Sequence, residues 1–376
     1  MSLSMFFFMM SFNLIMPELN GYLTALGSSD LKGLIITLFT ISAGISRPFS
    51  GKIADLVGRK TSIYIGIVIC IFVSISYPIA QSLFFFFTLR FLHGFSAGFM
   101  PTGATALITD VLPEKSRGQA MGIWGTFISL GIGVGQALGS WIFMQSNYTV
   151  LFGFSGLICL ISLVLATFVK ETLREKQPFQ LNVLRVKWND IVEPSVFPAA
   201  VVMFLTATSS GIIFVITPDI SNFLGINNKG WFFGIYVIST ILIRLFSSSL
   251  SDRIGRRKTL LIGNLFLITA MLLIGLSTTT NSYTFAAIIF GCATGISSPT
   301  LFAWTADLSH IDRRGVGAGT MFIALEGGIM LGSIITLMLY DSTKNTVLYS
   351  FIFGAFLALI ASIYLIWHLL RRKSLF

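Results

Sequence analysis

Residues 51–60 read GKIADLVGRK, and residues 248–257 read SSLSDRIGRR. The two stretches share an aspartate (Asp55, Asp252), a glycine three residues on (Gly58, Gly255) and an arginine directly after it (Arg59, Arg256), and they lie 197 residues apart. The same offset runs outward without a gap. Lys32-Gly33 meets Lys229-Gly230 and Arg47 meets Arg244 on one side. Gly66/Gly263, Gly94/Gly291, Gly98/Gly295, Asp110/Asp307, Arg117-Gly118/Arg314-Gly315, Gly122/Gly319, Gly131/Gly328 and Gly135/Gly332 follow on the other. Glycine matches alone are weak in a chain with 35 glycines, but only 11% of residues are charged, so matched charges are hard to obtain by chance. The chain reads as an internal duplication.

Around these motifs the sequence is apolar. Of 376 residues, 54% are hydrophobic, and the 11% charged compare with about 25% in a soluble domain. Stretches near the ~20 residues a helix needs to cross hydrocarbon recur at 3–26, 31–55, 61–80, 83–111, 116–144, 148–169, 196–223, 229–252, 259–278, 283–308, 315–340 and 346–369. The opening MSLSMFFFMMSFNLIM lacks a basic leader and reads as the first span, not a signal peptide. Six spans per half is an even number, so both halves enter the bilayer in the same orientation. The predicted fold is an all-α integral membrane protein with 12 transmembrane helices in two pseudo-symmetric six-helix bundles, residues 1–169 and 196–376. The polar segment 170–195 is predicted to be a cytoplasmic linker, partly helical.

The net charge of +10 does not indicate a nucleic-acid partner, because the basic residues sit in short clusters between spans. Lys52, Arg59, Lys60, Lys115, Arg117, Lys170, Arg174, Lys176, Arg185, Lys187, Arg253, Arg256, Arg257, Lys258, Arg313, Arg314, Arg371, Arg372 and Lys373 all fall on one side, against Lys32, Lys229 and Lys344 on the other. This asymmetry predicts that both termini are cytoplasmic. Short loops suit a bacterial inner membrane, and one chain is expected to work as a monomer. Cys70, Cys159 and Cys292 lie far apart in apolar spans, without metal or disulfide spacing. Asn147-Tyr148-Thr149 is a glycosylation sequon of low specificity. There is no P-loop and no catalytic set of the HExxH or GxSxG kind, so neither ATP drive nor an enzyme is indicated.

The duplicated motif resembles the G-x-L-A-D-R-x-G-R-K signature of the major facilitator superfamily, and span count and central linker extend the resemblance over the whole chain. Leu56 stands where a basic residue is usual, and Ser248 where the first glycine is. The resemblance implies alternating access about a central site. It also implies a gate at the motif side: Gly51, Asp55, Gly58, Arg59, Lys60 and Asp110, repeated as Asp252, Gly255, Arg256, Arg257 and Asp307. Asp55 can face a helix N-terminus across the seam between halves, and Arg59 can pair with Asp55 and Asp110. A plain topogenic charge cluster is the alternative reading.

Span 4 carries Arg90-Phe91-Leu92-His93-Gly94, which resembles the R-x-x-Q-G signature of proton-coupled members, with His93 in place of glutamine. An arginine in hydrocarbon is costly unless paired or hydrated, so Arg90 is expected to face the cavity. His93 serves there either as a proton-handling or as a packing residue. Span 5 carries Gly122, Gly131, Gly135 and Gly139 at a spacing similar to the glycine signature of drug:proton antiporters. Gln136 and Ser140 replace a proline and a glycine of that signature. Small residues at this spacing let helices approach closely, which is also the generic reading.

Three acids lie within spans. Glu326 is near the middle of span 11, while Glu18 after Pro17 and Asp219 after Pro218 occupy corresponding places in the halves. Buried carboxyl groups whose surroundings alternate can bind and release protons. Glu326 leads as the coupling residue. Glu18 follows, with cation binding as a second role, and Asp219 serves equally as a gating pair. Arg47 and Arg244 are candidate cavity charges, for anion binding or for structure. The expected function is proton-coupled efflux of an amphipathic small molecule or metabolite. The partners are that solute, protons and the lipid bilayer, and no cofactor is needed beyond the proton gradient. The alternatives are a symporter or facilitator importing a sugar or organic acid, and a membrane-embedded enzyme.

Overall fold

The computed structural model describes the chain except residues 29–30, 113–116, 174, 181–182, 184, 186, 188–190, 229, 248–249, 311–312, 342 and 374–376, and the side chains of 117–119, 245–246 and 371–373. Lys115, Arg174, Lys229 and Ser248 therefore lie outside the described residues, as do the side chains of Arg117, Arg371, Arg372 and Lys373.

Among the described residues the regular structure is helical: α1 (Ser2–Ile15), α2 (Leu19–Ala25), α3 (Lys32–Leu56), α4 (Arg59–Ser76), α5 (Leu83–Val111), α6 (Arg117–Gln145), α7 (Tyr148–Thr167), α8 (Phe197–Phe223), α9 (Trp231–Ser247), α10 (Leu250–Ile254), α11 (Arg256–Gly275), α12 (Thr280–Leu308), α13 (Arg314–Leu339) and α14 (Val347–Lys373). Among the described residues, eleven helical stretches are long and apolar enough to cross a membrane. The first joins α1 to α2 through a 3₁₀ turn, Met16–Glu18, where Pro17 lacks the N–H that would continue the α ladder. The predicted eighth span, 229–252, is shorter: its apolar helix covers Trp231–Arg244 among the described residues, and the second motif follows on the one-turn α10.

The repeat is visible in local signals. Ser82 and Thr279, 197 residues apart, cap α5 and α12, their hydroxyls accepting from the N–H of Phe85 and Ser282. Asn147 of the sequon caps α7, accepting from Val150 N–H at 3.0 Å. Gly131 and Gly135 of α6 press on the backbone of α1, and their mates Gly328 and Gly332 of α13 press in the same way on α8.

The first half packs α1 on α6 and α7, α3 on α5, and α4 on α5 and α7; the second packs α8 on α13 and α14, α9 on α12, and α11 on α12 and α14. Across the seam α3 meets α13 and α9 meets α6, which are equivalent contacts under the repeat. One apolar core runs through both halves toward the end bearing Lys32, including Leu14, Tyr77, Phe152, Phe232 and Phe351. Toward the motif end the cores are separate, one around Ile67 and Trp124, the other around Leu260 and Trp304. Between those two cores the seam is polar. Large apolar side chains such as Phe72, Phe84, Trp141, Phe168 and Met338 are exposed around the outside, a surface that requires lipid. The chain is an integral membrane protein.

The segment after α7 is bound to the first motif. Glu171 accepts from the N–H groups of Arg59 (3.2 Å) and Lys60 (3.1 Å), capping α4 where Gly58 turns with φ +154°. Burial raises the Glu171 proton affinity, but N–H bonds from Leu173, Lys60, Thr172 and Arg59 outweigh it and hold the carboxyl below its ordinary 4.5. A depressed folded pKa contributes stability above the unfolded value that is lost as pH falls through the folded one. Protection of the Arg59 and Lys60 amides, corrected for intrinsic exchange, is therefore expected to fall on acidification below about pH 4.5. In Glu171→Gln it is expected to be low and insensitive to pH. An equally pH-sensitive Gln variant would count against the cap.

Candidate functional site

The seam between halves is built on α3 and α13. The Arg47 guanidinium is 2% exposed, and its Nη2 donates to Glu326 Oε1 at 2.9 Å. Nη1 donates to Thr102 Oγ1 at 2.9 Å and to the Gly98 carbonyl at 3.3 Å, both on α5. The Phe322 ring covers the guanidinium at 4.1 Å. Gly44, one turn before Arg47, leaves room for Glu326, whose Cβ lies 4.0 Å from where a Gly44 side chain would begin. A buried pair of this kind is weak evidence for stability, because desolvation offsets the attraction, but separating the partners is strongly unfavourable. It joins the two halves through α3 and α13.

About 12 Å along α3 toward the motif end, eight residues at 1.5 Å each, Asp55 sits against the start of α13. Its carboxylate accepts from Gly315 N–H and Val316 N–H, each at 3.2 Å, a helix N-terminal anion site. Asp55 is also paired with Arg59, whose Nε donates to Asp110 at 3.2 Å. Arg314 of α13 approaches Asp110 at 3.8 Å, and Thr172 donates to it at 2.7 Å. Gly51 packs on the Gly315 backbone, and a Cβ there would lie 3.3 Å from the Gly315 carbonyl oxygen. Lys60 reaches the Thr167 carbonyl at 3.2 Å and lies over Tyr64. In the second motif Arg256 pairs with Asp252 and, at 2.9 Å, with Asp307. Gly255 takes φ +91° to make that turn, and Arg257 donates to the His368 carbonyl at 3.1 Å.

At the opposite end Asp219 of α8 accepts from Tyr340 Oη at 3.0 Å and pairs with Lys32 of α3 at 3.4 Å. The halves are thus tied at both ends and at the centre.

The remaining predicted residues lie elsewhere. Glu18 is buried beside α6, accepting from Ser140 Oγ at 3.0 Å. Arg90 is fully buried inside the first half, donating to the Ile35 carbonyl (3.2 Å) and the Tyr77 hydroxyl (3.5 Å), with Phe39 over it at 4.8 Å. No carboxylate among the described residues pairs with it. His93 lies between Cys70 Sγ and the Tyr77 hydroxyl, each at 3.4 Å, among the rings of Phe12 and Phe39. Of the four antiporter-type glycines, Gly131, Gly135 and Gly139 face α1, while the Gly122 carbonyl accepts from Thr126. Gln136 donates to Asn13 at 3.1 Å. Arg244 is buried between α9 and α6, with one hydrogen bond among the described residues, to Ser298 Oγ at 3.1 Å.

Sequence reading did not single out Thr102, Phe322, Tyr340 or Glu171. Thr102 and Phe322 are ordinary residues of apolar helices, recognisable only by what they touch. Glu171 stands just after the last apolar residue of the sixth span, and that position was its available signal.

A sequence profile of the Major Facilitator Superfamily matches residues 1–227 and, a second time, 199–375. The chain is 25% identical over 370 residues to multidrug resistance protein 2 of Bacillus subtilis, covering 92% of this chain and 88% of that one. It is 26% identical over 212 residues to the quinolone resistance protein NorA of Staphylococcus aureus, covering 54% of each. Its fold superposes on the crystal structure of the human organic anion transporter MFSD10 (TETRAN) with a TM-score of 0.80 over 97% of both chains, at 18% identity. With its tandem halves, lipid-facing surface and ion pairs across the seam, the chain belongs to the Major Facilitator Superfamily and is a membrane transporter, not an enzyme.

Proposed function

We propose that this transporter is a secondary active exporter in which proton entry drives efflux of an amphipathic small molecule or metabolite by alternating access. Its moving parts are two six-helix bundles, residues 1–169 and 196–376, twelve spans in all, with 170–195 as a cytoplasmic linker and both termini in the cytoplasm of a bacterial cell. The observation that carries the reading is the Arg47–Glu326 pair at 2.9 Å, buried and shared between the halves. The names of the bacterial relatives, a multidrug resistance and a quinolone resistance protein, support export of amphipathic solutes.

In the closed arrangement Glu326 is ionised against Arg47. Opening the seam separates them and leaves Glu326 a lone buried carboxylate, a cost that taking up a proton removes. Arg47 keeps Thr102 and the Gly98 carbonyl, both on α5 of its own half, so it remains partnered while Glu326 carries the proton. Closing restores the pair and expels the proton. Arg90 and His93 are read as structural, since Arg90 has no carboxylate partner among the described residues and His93 is shared between Cys70 and Tyr77. Asp55 and Arg59 latch the cytoplasmic side, and Lys32, Asp219 and Tyr340 latch the outer side.

Asp55→Asn tests the latch. It removes the ion pair with Arg59 and weakens the two bonds to α13; charge-assisted bonds are worth about 1.5–3 kcal/mol each. The closed state is destabilised by a comparable amount, so turnover is expected to fall about tenfold or more, with substrate affinity little changed. Unchanged turnover with weakened binding would contradict the latch. The direction of coupling is tested in proteoliposomes containing a pH-sensitive dye. Interior alkalinisation on external addition of an amphipathic solute, dependent on the protein and abolished by protonophore, is the expected result. Acidification would identify a symporter instead.

A further inference from the structure

The 197-residue offset pairs Arg47 with Arg244, and it also carries the surroundings of one onto the other. Glu326 maps onto Ser129 and Phe322 onto Gly125. Around Arg47, α13 supplies a carboxylate at 2.9 Å and a ring at 4.1 Å. Around Arg244, the equivalent helix α6 supplies neither. Gly125 lies directly against the guanidinium, where a Cβ would be 3.2 Å from Nη1. Ser129, one turn further on the same face of α6, is buried. Arg244 itself is 4% exposed, and beyond the bond to Ser298 its Nε and Nη1 donate to nothing among the described residues. Arginine does not shed its charge in proteins, and an uncompensated guanidinium within hydrocarbon is strongly unfavourable. No acid among the described residues supplies the missing counter-anion.

We propose that Arg244, with Ser129 and Ser298, binds the carboxylate of an amphipathic transported solute, which takes the place that Glu326 holds in the other half. The apolar part of the solute lies along Tyr236, two turns away on α9 and packed on Phe290 at 5.4 Å. This names a substrate class for the transport reading above and rests on it. The site opens to either side when α6 and α9 separate, so the anion neutralises Arg244 only while bound, as a substrate must.

The test uses the full chain in nanodiscs of zwitterionic lipid and equilibrium dialysis of three matched probes: 1-naphthaleneacetate, its neutral amide, and 1-naphthylmethylammonium. Wild type is expected to hold the acid about tenfold or more tighter than the amide, the range of a charge-assisted hydrogen bond. Arg244→Gln should erase the preference. Ser129→Glu, which supplies an internal counter-ion, should erase it too while raising Tm, and it carries the test if the Gln variant fails to fold. Equal affinity for acid and amide in wild type, or a preference that survives Ser129→Glu, overturns the site. So does a preference lost when phosphatidylglycerol is added to the discs, because the guanidinium then belongs to lipid. Proton coupling is measured separately in proteoliposomes with each of the three probes, against protein-free vesicles. Coupled transport without acid preference sinks this site and leaves the exporter reading. Acid preference without coupled transport of any probe sinks the exporter reading and leaves the site.

Discussion

Glu326→Gln is expected to reduce substrate-driven proton movement in proteoliposomes to the level of protein-free vesicles, while exchange of solute down its own gradient continues. The amide cannot titrate, but its carbonyl oxygen can still accept from Arg47 Nη2, now bonded to Glu326 at 2.9 Å. The fold therefore loses a charge and keeps a hydrogen bond, a cost of about 1–3 kcal/mol, and Tm falls by only a few degrees. Glu326→Leu removes the acceptor as well and strands Arg47 in the seam, costing about 3–5 kcal/mol. The comparison separates coupling from folding: the Gln variant folds and fails to couple, whereas the Leu variant folds poorly. Coupled proton movement at the wild-type rate in Glu326→Gln would remove this residue from the mechanism.

The second large effect concerns packing. Gly139 of α6 lies so close to the Leu14 carbonyl of α1 that a Cβ would occupy the space of that oxygen, and its neighbours toward the motif end, Gly135 and Gly131, meet the Met10 and Phe6 carbonyls at 2.6 and 2.5 Å from an added Cβ. Backbone cannot move aside as a side-chain tip can. Gly139→Ala is expected to cost about 3 kcal/mol or more, at or beyond the upper end for overpacked cores. It should also displace Ser140 from Glu18. Gly153 of α7 is the control, since nothing lies within 4 Å of an added Cβ there. Gly153→Ala should be neutral or stabilising by up to ~1 kcal/mol through helix propensity. Thermal melts of the purified variants decide it: similar Tm values for the two alanines would mean that α1 and α6 do not hold this approach.

Much of the membrane architecture is legible locally. Apolar length gives the spans, and charged residues in the hydrocarbon are too rare to coincide by chance. One exception has a local cause: Pro17 interrupts the first span. Pairing was less legible. Arg90 is an embedded arginine next to a recognisable motif, yet it satisfies its donors with a carbonyl and a tyrosine inside one half. Arg47 has no such motif and takes Glu326. Nothing in the spacing of either arginine distinguishes them, because the outcome depends on how each helix is rotated against its neighbours.

The sequence by itself determined that this chain is a duplicated, membrane-embedded transporter with a charged motif at one end of each half. The embedding and the duplication follow from hydropathy and from the repeat, which are summed along the chain, and the transport expectation follows from the family resemblance that the duplicated motif carries. Only the tertiary structure decided that Glu326 faces Arg47 across 279 residues of sequence, that Asp55 reaches the N-terminus of α13, and that Arg244, the repeat mate of Arg47, has no acid beside it among the described residues. Helix rotation and close approach set these pairings, through glycine faces that admit a neighbouring backbone and through a seam whose two sides come from different halves.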